Sequence, residues 1–180
     1  GAMAAILGLS ADEVTALAAE AAQGEVCQLA NENDPTQNVI SGSKAAVERA
    51  IDMAKGKGAK RALPLPVSAP FHCALMQPAA DEMAKALAEV TLADPSLPLV
   101  ANVLAAGVAT ADPIAQLLVD QVTGRVRWRS SVEWMVEQGV TDFSEIGAGK
   151  ALSGMIRRIH KDAVLRNVGV AADVTAALEA

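Results

Sequence analysis

The sequence is poor in aromatic side chains: its 180 residues include two tryptophans, two phenylalanines and no tyrosine. Hydrophobic residues nevertheless make up 52% of the chain, far more than disordered proteins contain. We therefore expect a packed core built mainly from Ala, Val, Leu, Ile and Met. The shortage of aromatics argues against a fold that stacks nucleic-acid bases on aromatic side chains.

The chain also has no excess of basic residues, since 15 Lys and Arg stand against 21 Asp and Glu, a formal net charge of −6. Nucleic-acid phosphates attract basic surfaces, so we expect no nucleic-acid partner. Basic residues do cluster locally, which is typical of a solvated surface. The clusters are Lys55, Lys57, Lys60 and Arg61; Arg125, Arg127 and Arg129; and Arg157, Arg158 and Lys161.

Cysteine and long apolar runs are scarce as well. Cys27 and Cys73 are the two cysteines, and their separation fits neither a zinc site nor a disulfide framework. No apolar run approaches the roughly 20 residues that cross a bilayer. The sequence thus predicts a cytoplasmic protein, with no metal site and no membrane partner.

The first third of the chain alternates short apolar runs with helical patterns. Ser10 and Glu13 form a capping box that predicts a helix to about residue 22, and Ser43 is expected to cap a second helix to about residue 53. Strands are predicted at residues 3–9, 26–30, 38–41 and 60–65. The order strand, helix, strand, strand, helix, strand is that of the split βαβ, or ferredoxin-like, unit.

After Pro66 the pattern changes. Helical patterns at residues 76–90, 113–122 and 130–138 alternate with strand patterns at 97–103, 141–146 and 163–168. Such alternation indicates α/β layers with parallel strands. Three strands are fewer than a self-sufficient parallel sheet usually has.

Of the two histidines, His160 lies at a predicted helix end, where a cation suits the helix dipole. His72 instead lies in a proline-bounded loop after a predicted strand, where catalytic bases are often mounted. A catalytic histidine needs a nucleophile, yet the sequence has no GxSxG elbow, and SxxK at residues 41–44 lacks the companion motifs of serine–lysine enzymes. The residues alone leave His72 open between a structural and a catalytic role.

The stretch EIGAGK at residues 145–150 resembles a phosphate loop at first sight. Its spacing matches neither GxxxxGK[ST] nor GxGxxG. A tight glycine turn between a strand and a helix is the better interpretation, and an anion held by its amides and Lys150 is the alternative.

At residues 67–76 the sequence VSAPFHCALM resembles the malonyl-CoA:acyl carrier protein transacylases of fatty-acid synthesis. Other stretches resemble the same family in the same order: GAMAAILG (1–8), NEN (31–33), GAKRALPLP (58–66), VRW (126–128) and EIGAGK (145–150). The resemblance implies an α/β fold with a ferredoxin-like βαββαβ small subdomain at residues 1–66. Residues 67–180 would then be the C-terminal part of an α/β-hydrolase-like large subdomain. The family's serine elbow, malonate-binding arginine and oxyanion glutamine would lie outside this chain.

The resemblance further implies ping-pong transfer of a malonyl group from malonyl-CoA to the phosphopantetheine thiol of acyl carrier protein, with no cofactor. His72 falls at the family's catalytic histidine. Gln121 matches the glutamine whose backbone carbonyl orients the imidazole, although residues 122–125 depart from the family pattern. Because only a carbonyl is needed, the side chain of Gln121 is expected to matter little.

Three further contacts are implied by the resemblance. Phe71, just before the histidine, favours a malonyl substrate because its ring would crowd an α-methyl group. Asn31 and Asn33 are expected to touch the pantetheine arm, with turn stabilisation as the alternative. Lys60 and Arg61 are expected to contact the acidic carrier protein or the CoA phosphates.

Two other hypotheses stay open: a ferredoxin-like binding module without catalysis, and the acyltransferase domain of a polyketide-type synthase. If the serine lies elsewhere, this chain is expected to be inactive alone. It is also expected to expose unpaired strand edges, which self-association or a separate chain carrying the missing N-terminal segment would cover.

Overall fold

The structure, a computed structural model, describes residues 1–178. These residues form an α/β arrangement with eight strands and seven α-helices, and a 3₁₀ turn at Ala74–Met76 precedes α3. In chain order the elements are β1 (Ala2–Leu7), α1 (Ala11–Ala22), β2 (Cys27–Asp34), β3 (Gln37–Gly42), α2 (Lys44–Gly56), β4 (Arg61–Pro64), α3 (Gln77–Ala88), β5 (Leu99–Ala101), β6 (Ala106–Val108), α4 (Ile114–Thr123), α5 (Trp128–Glu137), β7 (Asp142–Ile146), α6 (Ala151–Ile159), β8 (Val164–Val168) and α7 (Ala171–Leu178).

The first four strands form one antiparallel sheet in the order β2-β3-β1-β4. Helices α1 and α2 pack against each other and against this sheet. Buried positions on each helix recur at intervals of three and four residues, the spacing of a single apolar face. The order of strands and helices predicted for this part of the chain is confirmed. The buried core includes Ile6, Val14, Leu17, Ile40, Val47 and Ala50.

The two helices of this first unit begin in different ways. At α1 the backbone N–H of Ser10 donates to the Glu13 carboxylate at 2.7 Å, and the Glu13 N–H donates to the Ser10 hydroxyl at 3.3 Å. The predicted capping box is therefore confirmed. Ser43 lies at the N-cap of α2, but its side chain makes no cap hydrogen bond, so that part of the prediction is wrong. The backbone N–H of Ser43 donates to the Val26 carbonyl at 2.8 Å, which fixes the start of this helix through the main chain.

The segment between α4 and α5 pairs with the free edge of β2. The backbone N–H of Val126 donates to the Ala30 carbonyl at 2.7 Å, and the Val126 carbonyl accepts from the Glu32 N–H at 2.8 Å. These bonds form a parallel bridge between Asn31 and Val126. Because β2 is the last strand on its side of the sheet, this bridge attaches the second half of the chain to the first unit.

In the second half, β7 and β8 form a parallel pair, as the alternating pattern predicts. The strand predicted at residues 97–103 is shorter, at Leu99–Ala101, and pairs antiparallel with Ala106–Val108, so its predicted parallel pairing is wrong. The chain reverses directly after β5 because Ala105 adopts a left-handed φ of 54°. Helices α5 and α6 pack together around the buried side chains of Val132 and Ile156.

Within residues 1–178, no helix combines the length and the hydropathy that a membrane crossing requires.

Candidate functional site

His72 lies in the loop between β4 and the 3₁₀ turn and has a left-handed φ of 58°. Its ring Nδ1 lies 3.1 Å from the backbone carbonyl oxygen of Gln121. A carbonyl oxygen can only accept, so Nδ1 is the donor and the neutral ring carries its proton there. The other nitrogen, Nε2, then keeps its lone pair available to accept a proton.

The position of Gln121 in its helix explains why its carbonyl is free to accept this bond. Gln121 lies in the last turn of α4, which ends at Thr123. The last carbonyls of a helix have no partner within the helix and must find one elsewhere. At this helix end, the backbone N–H of Gly124 donates to the Asp120 carbonyl at 2.7 Å. The Gln121 carbonyl, which comes next along the chain, accepts from His72 Nδ1 instead.

Several contacts hold the loop that carries His72. The backbone N–H of Ala74 donates to the Gln28 side chain on β2 at 2.8 Å. The fully buried thiol of Cys73 donates to the Pro70 carbonyl at 3.2 Å. Gly1 lies so close to Pro70 that a Cβ on Gly1 would stand 2.3 Å from Pro70 Cγ. The loop is thus fixed by the first sheet on both sides of the histidine.

The side chain of Gln121 is hydrogen-bonded as well as its carbonyl, and the expectation that this side chain matters little stays a prediction. Its Oε1 accepts from Asn102 Nδ2 at 2.5 Å, and its Nε2 donates to the Gly124 carbonyl at 3.0 Å. Asn102 Oδ1 in turn accepts from the backbone N–H of Arg127 at 3.1 Å. Sequence reasoning missed Asn102, whose signal was a lone amide inside an otherwise apolar predicted strand.

Within residues 1–178, the one hydrogen bond of the His72 ring is the bond to Gln121, so Nε2 has no hydrogen-bond partner among these residues. Neither cysteine side chain forms a hydrogen bond with the His72 ring. Burial raises the pKa of the Cys27 thiol to about 11, and the Cys73 thiol is fully buried and bonded to a carbonyl. The described residues therefore provide an oriented base with a free acceptor nitrogen.

The other predicted site residues lie on the first sheet and beside the histidine. The Phe71 side chain is 40% exposed next to His72. Asn31 bridges to Val126, five positions after Gln121, and so lies beside the segment that orients the histidine. Asn31 and Asn33 are half-buried, and neither side-chain amide makes a hydrogen bond with the described residues. Their amides are thus available to a ligand.

Lys60 and Arg61 are exposed at the start of the edge strand β4. The backbone N–H of Lys60 donates to the Leu7 carbonyl at 2.8 Å. Neither side chain forms an ion pair with an acidic residue of the described chain. Both positive charges are thus presented to solvent on the strand that leads into the His72 loop.

The turn at residues 145–150 supports the structural interpretation of its glycines. Gly147 and Gly149 have φ values of 134° and 95°, which glycine adopts at little cost. The Glu145 carboxylate accepts from the backbone N–H groups of Leu152 and Ser153 at 3.1 and 2.8 Å. The helix N-terminus that an external anion would need is therefore occupied by a carboxylate of the same chain.

The chain matches no protein-family model, but it is similar to known proteins in both sequence and structure. The malonyl CoA-acyl carrier protein transacylase of Escherichia coli K12 is 46% identical over 179 residues, which cover 99% of this chain and 58% of the relative. A solved acyl-carrier-protein-S-malonyltransferase from Bartonella henselae is 49% identical with a TM-score of 0.94, over 99% of this chain and 57% of that one.

A third similar protein is a malonyl-transacylase solved in complex with the acyl-carrier protein of a type II PKS. It is 44% identical with a TM-score of 0.95, over 99% of this chain and 58% of that structure. The chain thus spans little more than half the length of the relatives it matches. Over nearly its whole length it is homologous to a portion of the malonyl CoA-acyl carrier protein transacylases.

Proposed function

We propose that this chain is the base-bearing portion of an enzyme that transfers a malonyl group from malonyl-CoA to the phosphopantetheine thiol of acyl carrier protein. The observation that carries the proposal is the 3.1 Å contact between His72 Nδ1 and the Gln121 carbonyl oxygen. Two residues 49 positions apart are brought together so that one ring nitrogen is fixed as a donor and the other is left as a base. The names of the relatives supply the substrates.

In the proposed mechanism, His72 Nε2 takes the proton of a serine that lies outside this chain. The serine oxygen attacks the malonyl thioester carbon, the carbon–sulfur bond breaks, and the CoA thiolate takes the proton from His72. The pantetheine thiol then gives its proton to Nε2 and attacks the malonyl-serine ester. The serine leaves as an alkoxide and regains the proton, so the enzyme returns to its starting state.

The carbonyl of Gln121 takes the orienting role that a carboxylate plays in a Ser-His-Asp triad. It holds the ring in one tautomer and lies close to the imidazolium that forms in each half-reaction. A backbone carbonyl at a helix C-terminus carries partial negative charge, which stabilises that cation. No resident cofactor is needed for either step.

The substrate contacts are proposed from exposure and hydrogen-bonding capacity. Phe71 precedes His72 in sequence and is 40% exposed, and we propose that its ring crowds an α-methyl group on the acyl chain. The unbonded amides of Asn31 and Asn33 can bind the amide groups of the pantetheine arm. Unpaired Lys60 and Arg61 on the strand that leads to the His72 loop suit an acidic carrier protein or the CoA phosphates.

We also propose the division into a ferredoxin-like small subdomain, residues 1–66, and the C-terminal part of an α/β-hydrolase-like subdomain, residues 67–180, in a cytoplasmic enzyme. The antiparallel order β2-β3-β1-β4 and the parallel pair β7-β8 support it. The outer face of β7 carries Ile146, which is 80% exposed. A segment bearing the serine, in the same chain or in a separate one, is the expected partner for this face.

The test is a transfer assay with radiolabelled malonyl-CoA and acyl carrier protein. This chain alone is expected to transfer no label, and the complete enzyme that carries it is expected to form both malonyl-enzyme and malonyl-carrier protein. In the complete enzyme, His72→Ala should lower transfer by at least about 100-fold because the general base is lost. His160→Ala is the matched control and should keep full activity. Label on a serine of this chain, or an active His72→Ala enzyme, would contradict the proposal.

Substrate choice is tested separately with Phe71→Ala. If the ring excludes an α-methyl group, the ratio of methylmalonyl to malonyl transfer should rise in this variant. An unchanged ratio would show that Phe71 does not select the acyl group.

A further inference from the structure

The side chain of Gln121 has no part in the proposed mechanism, yet both polar atoms of its amide are hydrogen-bonded. Asn102 bonds to its Oε1 and the Gly124 carbonyl bonds to its Nε2. Asn102 follows β5 directly, and its own oxygen accepts from the Arg127 N–H at the start of α5. One asparagine thus links the strand β5, the end of α4 and the beginning of α5 at the residue that orients His72.

Backbone groups fix the direction of every bond in this chain of contacts. The Arg127 N–H can only donate, so the atom of Asn102 that faces it is Oδ1 and the atom that faces Gln121 is Nδ2. The Gly124 carbonyl can only accept, so Gln121 presents Nε2 to Gly124 and Oε1 to Asn102. Each amide therefore has a single orientation that satisfies both of its neighbours.

We propose that Asn102 is a positioning residue of the transfer site, acting on His72 through Gln121. This inference rests on the proposed role of His72 as the base. The last turn of a helix tends to fray because its carbonyls lack helical partners. By holding the side chain of Gln121, Asn102 keeps the backbone carbonyl of Gln121 in one place. A displacement of about 1 Å in a group that orients a catalytic residue can lower the rate up to about 100-fold.

The tautomer of His72 reports directly on this restraint. The tautomer of a neutral imidazole is set by the hydrogen bond that its ring makes. With Gln121 held, the proton stays on Nδ1 and Nε2 is free. When the carbonyl moves, the ring is released to carry its proton on Nε2, where it can no longer accept one from a nucleophile.

The experiment uses the complete transacylase that carries this chain, with Asn102→Ala, Gln121→Met and the double variant. Gln121→Met keeps the backbone carbonyl and the length of the side chain but removes both side-chain bonds. Gln116→Ala is the matched control, since Gln116 lies on the same helix and its side chain bonds, among residues 1–178, only to Asp120. The measurements are kcat, KM for malonyl-CoA, and the ¹⁵N chemical shifts of the His72 ring.

Each single variant is expected to lower kcat about 10-fold with KM changed by less than about 2-fold, and to shift the His72 ring toward the Nε2–H tautomer. The double variant should be no slower than the slower single variant, because both residues act on one carbonyl. Gln116→Ala should change neither kcat nor the tautomer.

An unchanged kcat and tautomer in Asn102→Ala would overturn the inference, and so would losses that multiply in the double variant. If Asn102→Ala fails to fold, Asn102→Asp replaces it, since it keeps the acceptor for Arg127 and removes the donor to Gln121. The ring shifts are measured independently of turnover. A tautomer shift in an enzyme whose activity does not need His72 would therefore count against the proposed function and not against the link from Asn102 to His72.

Discussion

Arg158 donates from Nε to the Oδ2 oxygen of Asp34 at 2.6 Å and so joins residues 124 positions apart. The Asp34 side chain is fully buried at the end of β2, whereas 48% of the Arg158 side chain is exposed. The other carboxylate oxygen accepts from the N–H and the hydroxyl of Thr36 at 2.9 and 3.2 Å. Because a buried carboxylate is costly without a partner, this pair fastens α6 to the first sheet.

Arg158→Met should lower the free energy of unfolding by about 2 kcal/mol. The variant leaves Asp34 buried without its cation, and the loss lies below that of a wholly buried pair because Arg158 is half-exposed. Urea denaturation followed by circular dichroism measures the change. Arg157→Met is the control, since in the described part of the chain the Arg157 guanidinium bonds only to the Lys161 carbonyl, at 3.3 Å. Equal losses in the two variants would contradict the role of the Asp34 pair.

Gly1→Ala should destabilise the His72 loop. The added methyl group would stand 2.3 Å from Pro70 Cγ. Pro70, which lies two positions before His72, must therefore move. Overpacking of this kind costs about 1–3 kcal/mol, and transfer activity should fall with it. Gly56→Ala is the control because nothing lies within 4 Å of its added Cβ. Its stability should be unchanged or slightly raised, since alanine is the better helix former.

Cys27 should make the protein less stable in alkaline solution. Burial raises the pKa of its thiol from 9.0 to about 11. Between these values the folded chain holds a proton that the unfolded chain has lost, so stability falls as the pH rises from about 9 to 11. In Cys27→Ala this part of the fall should be absent. Urea midpoints across that pH range measure the difference, and parallel curves for the two proteins would refute the effect.

Glu145 should contribute stability that is lost in acid. Hydrogen bonds from the side chain and then the backbone of Ser153 lower the pKa of the Glu145 carboxyl below 4.5. The folded state therefore favours the ionised form, and its contribution is present above pH 4.5 and disappears as the pH falls through the lowered value. Glu145→Gln should lower the urea midpoint at pH 7, and the difference between variant and parent should shrink as the pH falls below 4.5. Glu89→Gln removes an exposed carboxylate that has no hydrogen-bond partner among residues 1–178, and it should leave the midpoint unchanged at both ends of this pH range.

Much of the first unit could be predicted from local patterns. The capping box of Ser10 and Glu13, the apolar spacing along α1 and the short strands are all set by neighbours in sequence, and the structure confirms them. The hairpin of β5 and β6 could not be predicted in this way. It depends on the left-handed backbone of Ala105. Alanine rarely adopts this conformation, and no local sequence pattern predicts it.

The candidate site also combines residues that the sequence identifies with a contact that only the packing of distant elements creates. The sequence singled out His72 and, through the family resemblance, Gln121, but it could not place Asn102 beside them. The link from Asn102 to Gln121 spans 19 positions and joins two elements whose packing depends on the whole second half of the chain. The lone amide of Asn102 in an otherwise apolar stretch marks the residue in the sequence, but it does not identify Gln121 as its contact.

The bridge between Val126 and the edge of β2 has a consequence for the order of folding. The first sheet consists of strands within residues 2–64 and can form before Val126 pairs with it. The bridge closes a long loop, and contacts on both sides must offset the entropy that this closure costs. We therefore expect the segment that carries Gln121 to dock after the first sheet has formed. A refolding enzyme should regain its β-sheet circular dichroism before it regains transfer activity.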